Sequence, residues 1–196
     1  MTPKQLLAIL TQAGKLKTTP RHCFTAPDRA ESVADHSWRI ALMAMLLTGI
    51  PEFQELDMDR VIRMCLIHDL GESFTGDIPT FLKSNADGEK EDALMDRWVA
   101  GFPQPQRQEW QGLLKEMDAI ETPEAKLYKA LDKLEAVISH NESDISTWLP
   151  LEYELQLSYG KENVSHSPYL SSLSETIDWW TREKIEQEGQ KSSNME

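Results

Sequence analysis

Ser32-Val-Ala-Asp35 opens a segment whose apolar residues, Ile40, Ala41, Leu42, Met43, Ala44, Met45, Leu46 and Leu47, fall on nearly every side of a helix. A helix that is apolar all round must be covered by other elements, so this one is predicted to stand at the centre of the fold. The Ser at its start and the Asp three residues on resemble a capping box with Asp in the third place. The uncharged stretch from Ile40 to Ile50 is too short to span a bilayer and follows Arg39. Met1 to Thr11 reads as an ordinary amphipathic segment with no signal pattern. No membrane partner is therefore expected, and the location is expected to be cytoplasmic.

The rest of the chain reads as helices around that centre. Thr2-Pro3 starts one that reaches about Leu16 with Leu6, Leu7, Ile9 and Leu10. Lys17 to Ala30, with two prolines and little periodicity, predicts a long loop carrying Arg21, His22 and Cys23. Asp57 to Phe74 predicts a helix with Val61, Ile62, Cys65, Leu66 and Leu70 inward. A short element around Phe81-Leu82 and a polar turn at Ser84 to Gly88 follow, then helices at Glu89–Val99 and about Gln106–Ile120. Thr122-Pro123-Glu124 starts a helix expected to reach His140, with Leu127, Leu131, Leu134 and Ile138 as its stripe. Two more are expected at about Glu152–Tyr159 and Ser167–Glu188, packed through Leu155, Tyr169, Leu173, Ile177 and Trp180. Trp179-Trp180 reads as a core or dimer anchor. No strand pattern stands out, so the fold class is all-α. The 196 residues suffice for one domain with a real core, predicted over 1–188 with a frayed tail at 189–196.

Composition narrows the function. Forty per cent apolar and 27% charged residues are ordinary for a soluble globular chain. The net charge of −13 argues against a nucleic acid polymer as partner, since a polyanion needs Lys and Arg to neutralise it. Residues 1 to 30 nevertheless carry Lys4, Lys15, Lys17, Arg21 and Arg29 against Asp28 alone, which suits a small anion. Cys23 and Cys65 form no C-x-x-C pair, so neither a disulfide framework nor a thiolate metal site is indicated.

Chemistry-bearing side chains concentrate between Cys65 and Thr80: His68, Asp69, Glu72, Asp77 and Thr80. On a continuous helix His68 and Glu72 are four apart and Asp69 and Glu72 three apart, so they can address one ion from one side. Asp77 stands where an N-cap would stand before Ile78-Pro79-Thr80, which would put a second, anion-favouring helix N-terminus beside them. His36 lies in the first turns of the central helix, where the macrodipole favours neutral, metal-ligating imidazole. Asp132 has Ala125, Tyr128, Glu135, Ala136 and Ser139 as wheel neighbours, and the small ones leave room for something to approach it.

Glu-Ser-Val-Ala-Asp-His36, Ile-His68-Asp69 with Gly-Glu72, Thr-Gly-Asp77-Ile-Pro-Thr80 and Lys-Ala-Leu-Asp132-Lys together resemble the HD phosphohydrolase superfamily. The similarity is to its branch of bacterial 5'-deoxynucleotidases and eukaryotic HD-domain-containing relatives, and it spans residues 21 to 140. By that resemblance His36, His68, Asp69 and Asp132 ligate one divalent metal. Two imidazoles and two carboxylates suit Mn, Co, Fe, Ni or Zn, with Mg also open. Glu72 would orient or deprotonate the attacking water, Asp77 would serve the leaving 5'-oxygen, and Thr80 and Arg21 would hold phosphate. The implied function is release of phosphate from nucleoside 5'-monophosphates, by a homodimer. One position departs: the bacterial enzymes place a Trp against the sugar where this chain has His22, and the eukaryotic relatives also lack that Trp. Phosphodiester or nucleoside triphosphate hydrolysis at the same metal stays open, as does a non-catalytic helical interaction module.

Overall fold

The computed structural model describes the backbone of residues 1–193 and the side chains of residues 1–188. Its frame is three helices in mutual contact: α2 (Val33–Leu47), α3 (Met58–Ile67) and α7 (Pro123–Glu142). Ser32 caps α2 and Asp35 answers in the expected capping box, while Thr122 caps α7 with Pro123 in its first turn. Val33, Ile40, Ala44, Val61, Met64, Cys65, Leu127 and Leu131 are buried between the three helices and form one core with Met95, Leu113 and Leu170. Around the frame stand α1 (Pro3–Ala13), α4 (Glu72–Thr75), α5 (Asn85–Ala100), α6 (Gln106–Ala119), α8 (Glu152–Ser158), α9 (Lys161–Val164) and α10 (Pro168–Ser193). No helix among the described residues is long and apolar enough to cross a membrane.

The all-α expectation holds apart from one hairpin. The segment Lys17 to Ala30, expected to loop, supplies β1 (Pro20–Ala26) and the start of β2 (Arg29–Ser32), antiparallel and joined across Pro27-Asp28. Its inward side carries Arg21, Cys23 and Glu31, so no apolar alternation advertises it; Arg21 and Glu31 form an ion pair and the buried Cys23 thiol donates to the same carboxylate. Phe24 N–H donates to Ser143 Oγ at 3.0 Å, which ties the hairpin to the end of α7.

The expected helix Asp57–Phe74 is interrupted. After Ile67 the backbone tightens to three-residue hydrogen bonds, with Leu70 N–H on Ile67 C=O at 3.1 Å and Glu72 N–H on Asp69 C=O at 3.0 Å. Residues three apart then eclipse, which stacks Glu72 over Asp69 and removes the helical His68–Glu72 alignment. Gly71 permits α5 to approach this turn, because a Cβ there would stand 2.6 Å from Glu91 Cγ.

Asp77 caps no helix: residues 76–79 have no regular structure and Phe81-Leu82 lies in a turn, so the expected N-terminus at Ile78 is absent. Gly76 breaks the chain there with φ +80°, a conformation side-chain-bearing residues avoid. Ser84 instead caps α5, which starts at Asn85, ahead of the expected Glu89. Two expectations of burial also shift. Met45 and Leu46 of α2 are exposed, and of the tryptophan pair Trp179 is 63% exposed and Trp180 half-buried. Helix α10 continues past Glu188; the rest of the expected frayed tail, 194–196, lies outside the described residues.

Candidate metal centre and adjoining cavity

Three elements deliver the four expected ligands to one point. His36 comes from the first turn of α2, His68 and Asp69 from the tightened turn after α3, and Asp132 from the middle of α7. His36 Nε2 stands 3.6 Å from Asp69 Oδ2 and 3.4 Å from Asp132 Oδ1; His68 Nε2 stands 3.0 Å and 3.8 Å from the same atoms. Donors placed at about 2.1 Å around one ion, at right angles or tetrahedrally, are about 3.0 to 3.4 Å apart; His36, His68 and Asp69 offer atoms within 4.8 Å of one another, and Asp132 Oδ1 adjoins both imidazoles, so a shared ion needs only small closing shifts.

Each imidazole has its other nitrogen engaged. His68 Nδ1 faces Cys65 C=O at 2.9 Å, and His36 Nδ1 faces the carboxylate of Glu135 in a short contact. Such partners fix the ring and leave Nε2 for a ligand. His68 Nε2 is buried and makes no hydrogen bond even with Asp69 Oδ2 at 3.0 Å: with Nδ1–H given to Cys65 C=O, Nε2 of the neutral ring offers a lone pair, as the carboxylate does. A shared ion answers that orphaned donor, and the donor set suits a borderline divalent cation.

Charge around the centre is arranged to keep the carboxylates ionised. Burial raises the Asp132 pKa, but Lys133 and Lys129, at 3.2 Å and 3.1 Å from Oδ2, carry it well below the usual range. Oδ1 is thereby left for the centre. Asp69, opposed by burial, is lowered by His68 and His36. Burial and Arg21 lower His36, yet its hydrogen bonds to Asp132 and Glu135 hold it up to about 9, so a proton and a metal ion compete for Nε2.

Glu135 is the residue sequence reasoning passed over. It is fully buried, and besides His36 it accepts from Arg39 Nε, Ser139 Oγ and Arg21 Nη1. Burial would raise it, but His36, Arg21 and Arg39 pull it down to about 2. Its signal was faint: it lies three residues after Asp132 on α7, hence on nearly the same face. Glu31 joins it through Arg21 at 2.7 Å and Ser139 at 2.7 Å, so these two carboxylates are satisfied by cations and hydroxyls. Lys129 and Lys133, which flank Asp132 in its sequence motif but were given no role there, place positive charge beside the centre.

The catalytic candidates lie beside the centre. Glu72 is buried, with Oε2 lacking any hydrogen bond; burial, then Asp69, Asp77 and Glu91, push it up to about 10 without an ion. Asp77 is raised by burial and by Asp69, with Arg21 opposing. A cavity adjoins them, lined by Arg21, His22, Asp77, Thr80, Phe81 and Tyr159 among others. So Arg21 and His22 do meet Asp77 and Thr80, though Arg21 spends Nη1 on Glu31 and Glu135. His22 sets its ring edge-on to Phe81, 5.6 Å between centroids. Thr80 Oγ1 pairs with Tyr159 Oη at 3.1 Å, and Lys133 Nζ donates to the same phenol at 2.9 Å, linking the cavity mouth to Asp132.

Comparison with known proteins accords with this arrangement. The HD domain family matches residues 13–173. A 5'-deoxynucleotidase of Xenopus laevis is 34% identical over 139 residues, 69% of this chain and 67% of its own length. A human 5'-deoxynucleotidase is 32% identical over 143 residues, 71% of this chain and 68% of its own. A crystal structure of a predicted metal-dependent phosphohydrolase from Magnetospirillum magnetotacticum superposes with TM-score 0.76 at 28% identity, covering 92% of this chain and 95% of that one.

Proposed function

This chain belongs to the HD domain family, and from that premise we propose that it is a metal-dependent 5'-deoxynucleotidase, releasing phosphate from deoxynucleoside 5'-monophosphates. The observation that carries the reading is the buried, unpartnered Nε2 of His68, facing His36, Asp69 and Asp132 next to a cavity that also holds Arg21 and Asp77. The names of the Xenopus and human relatives support the substrate class.

In this reading His36, His68, Asp69 and Asp132 hold one divalent ion. The ion supplies Lewis acidity toward the phosphoryl group and makes water easier to ionise. Glu72 receives the proton of the attacking water. Burial and then Asp69, Asp77 and Glu91 raise its proton affinity, and a bound ion offsetting the charge of Asp69 would leave it ionised to accept that proton. Asp77, raised by its burial, is suited to carry a proton and hand it to the 5'-oxygen as the P–O bond breaks. Arg21 and Thr80 orient the phosphate from the cavity side. Lys129 and Lys133 are committed to Asp132 and Lys83 to Glu91 at 2.7 Å, so the free positive charge suits a monophosphate better than a triphosphate. A cytoplasmic homodimer belongs to the same reading, with exposed Leu6, Leu7 and Leu10 of α1 available as contact surface.

The test is phosphate release from a panel of deoxy- and ribonucleoside 5'-monophosphates after chelator stripping and restoration with single divalent metals. Metal-dependent turnover of the deoxynucleotides is expected. A reloaded protein inert toward every phosphate ester would end the proposal.

A further inference from the structure

The phosphate chemistry uses one end of the cavity, and α8 builds another part of its wall. Glu152 and Gln156 are four residues apart on α8, share a face, and both line the cavity while being only 1% and 4% exposed. Glu152 is fully engaged: Oε1 faces His140 Nε2 at 3.0 Å, and Oε2 accepts Leu149 N–H at 2.7 Å. Gln156 differs. Its amide makes no hydrogen bond to any described residue, yet neither of its polar atoms is among those sealed from water. The buried amide of Asn141, by contrast, donates to Thr181 Oγ1 at 2.9 Å. A nine-tenths buried amide without one is a hydrogen-bonding group kept for something that enters the cavity.

We propose that Gln156 reads the hydrogen-bonding edge of the substrate's nucleobase, with Leu155 and the rings of His22 and Phe81 offering apolar cover to the base. A primary amide presents a donor and an acceptor side by side, the complement of the adjacent donor and acceptor on a nucleobase edge. Phosphate does not fit there, since the neighbouring Glu152 carboxylate is held ionised: burial would raise its pKa, but hydrogen bonds from His140 and Leu149 lower it. The assignment rests on the nucleotidase reading above and deepens it.

The test compares kcat/KM on dAMP, dCMP and dTMP with that on 2-deoxyribose 5-phosphate, which lacks the base. In Gln156→Leu the ratio of base-bearing to base-free turnover should fall by about tenfold or more, the scale of one lost bidentate contact. Gln156→Glu, an isostere that keeps the shape of the wall, presents only acceptors and should favour dAMP and dCMP, with their amino groups, over dTMP. A base-to-base-free ratio unchanged in Gln156→Leu, or an unaltered order of bases in Gln156→Glu, would overturn the assignment while leaving the nucleotidase reading intact. A wild-type protein inactive on all four substrates would remove both.

Discussion

His36 turns its Nδ1 to the buried carboxylate of Glu135, and the same ring thereby presents Nε2 to Asp132 Oδ1 at 3.4 Å. One residue of α7 holds the imidazole and another, three residues earlier, shares its target. The orientation of the ligand is thus built into a single helix facing α2.

Glu135→Gln keeps the shape but removes the charge that Nδ1, Arg39 and Arg21 lean on. We expect divalent-metal affinity to fall about 10- to 100-fold, the usual cost of losing a partner behind a ligating His. Competition against a chelating dye reads this directly; an unchanged affinity would mean that Glu135 only packs.

Metal removal should loosen the protein as well as silence it. Without an ion the centre crowds Asp69 and Asp132 with two imidazoles and an orphaned Nε2. Saturation at about 100 times Kd adds about 2.7 kcal/mol to stability, so the melting temperature should rise by several degrees on adding metal. Asp132→Asn should shrink that rise strongly, and a full rise in this variant would exclude Asp132 as a ligand.

Glu72 gives the stripped protein a distinctive pH dependence. Its folded pKa of about 10 lies above the ordinary 4.5, so the folded state holds a proton that the unfolded state releases. Stability from this group is complete below pH 4.5 and is lost progressively as pH rises toward about 10. Glu72→Gln should flatten the fall in melting temperature between pH 5 and 9 in metal-free protein. The same variant should lower phosphate release at least about 100-fold when reloaded, as loss of a general base does. A parallel pH profile for wild type and variant would refute the burial argument.

Gly160 tests the support beneath the lysines. Its φ is +70°, and a Cβ would overlap Lys133 Cβ. Gly160→Ala therefore meets backbone strain and a steric clash together, and should cost about 2 to 4 kcal/mol in denaturant unfolding. A loss below about 0.5 kcal/mol would show that α9 can move away freely.

The helical frame was legible because its signals are local. Ser32 with Asp35 and Thr122 with Pro123 mark helix starts through bonds made within one turn, and the stripes of α2 and α7 recur at the helical period. The ligand candidates came from a resemblance carried by short motifs around His36, His68 and Asp132, and α2, the turn after α3 and α7 bring each imidazole Nε2 within 4 Å of both aspartates.

What the linear pattern lacked was any record of long-range pairing. The hairpin at residues 20–32 has Arg21 and Glu31 where a strand would show apolar alternation, and they are buried only because α2 and α7 supply Arg39, Glu135 and Ser139. The turn after Ile67 packs at Gly71 against Glu91 of α5, a contact no residue of α3 reveals. By itself, then, the sequence determined where helices start, which faces are apolar and which side chains could bind a metal, since those follow from neighbours along the chain. Only the tertiary structure decided that Asp77 caps nothing, that Glu135 stands behind His36 and that Gln156 is left without a partner, because each depends on groups far apart in sequence competing for the same hydrogen bonds and the same buried space.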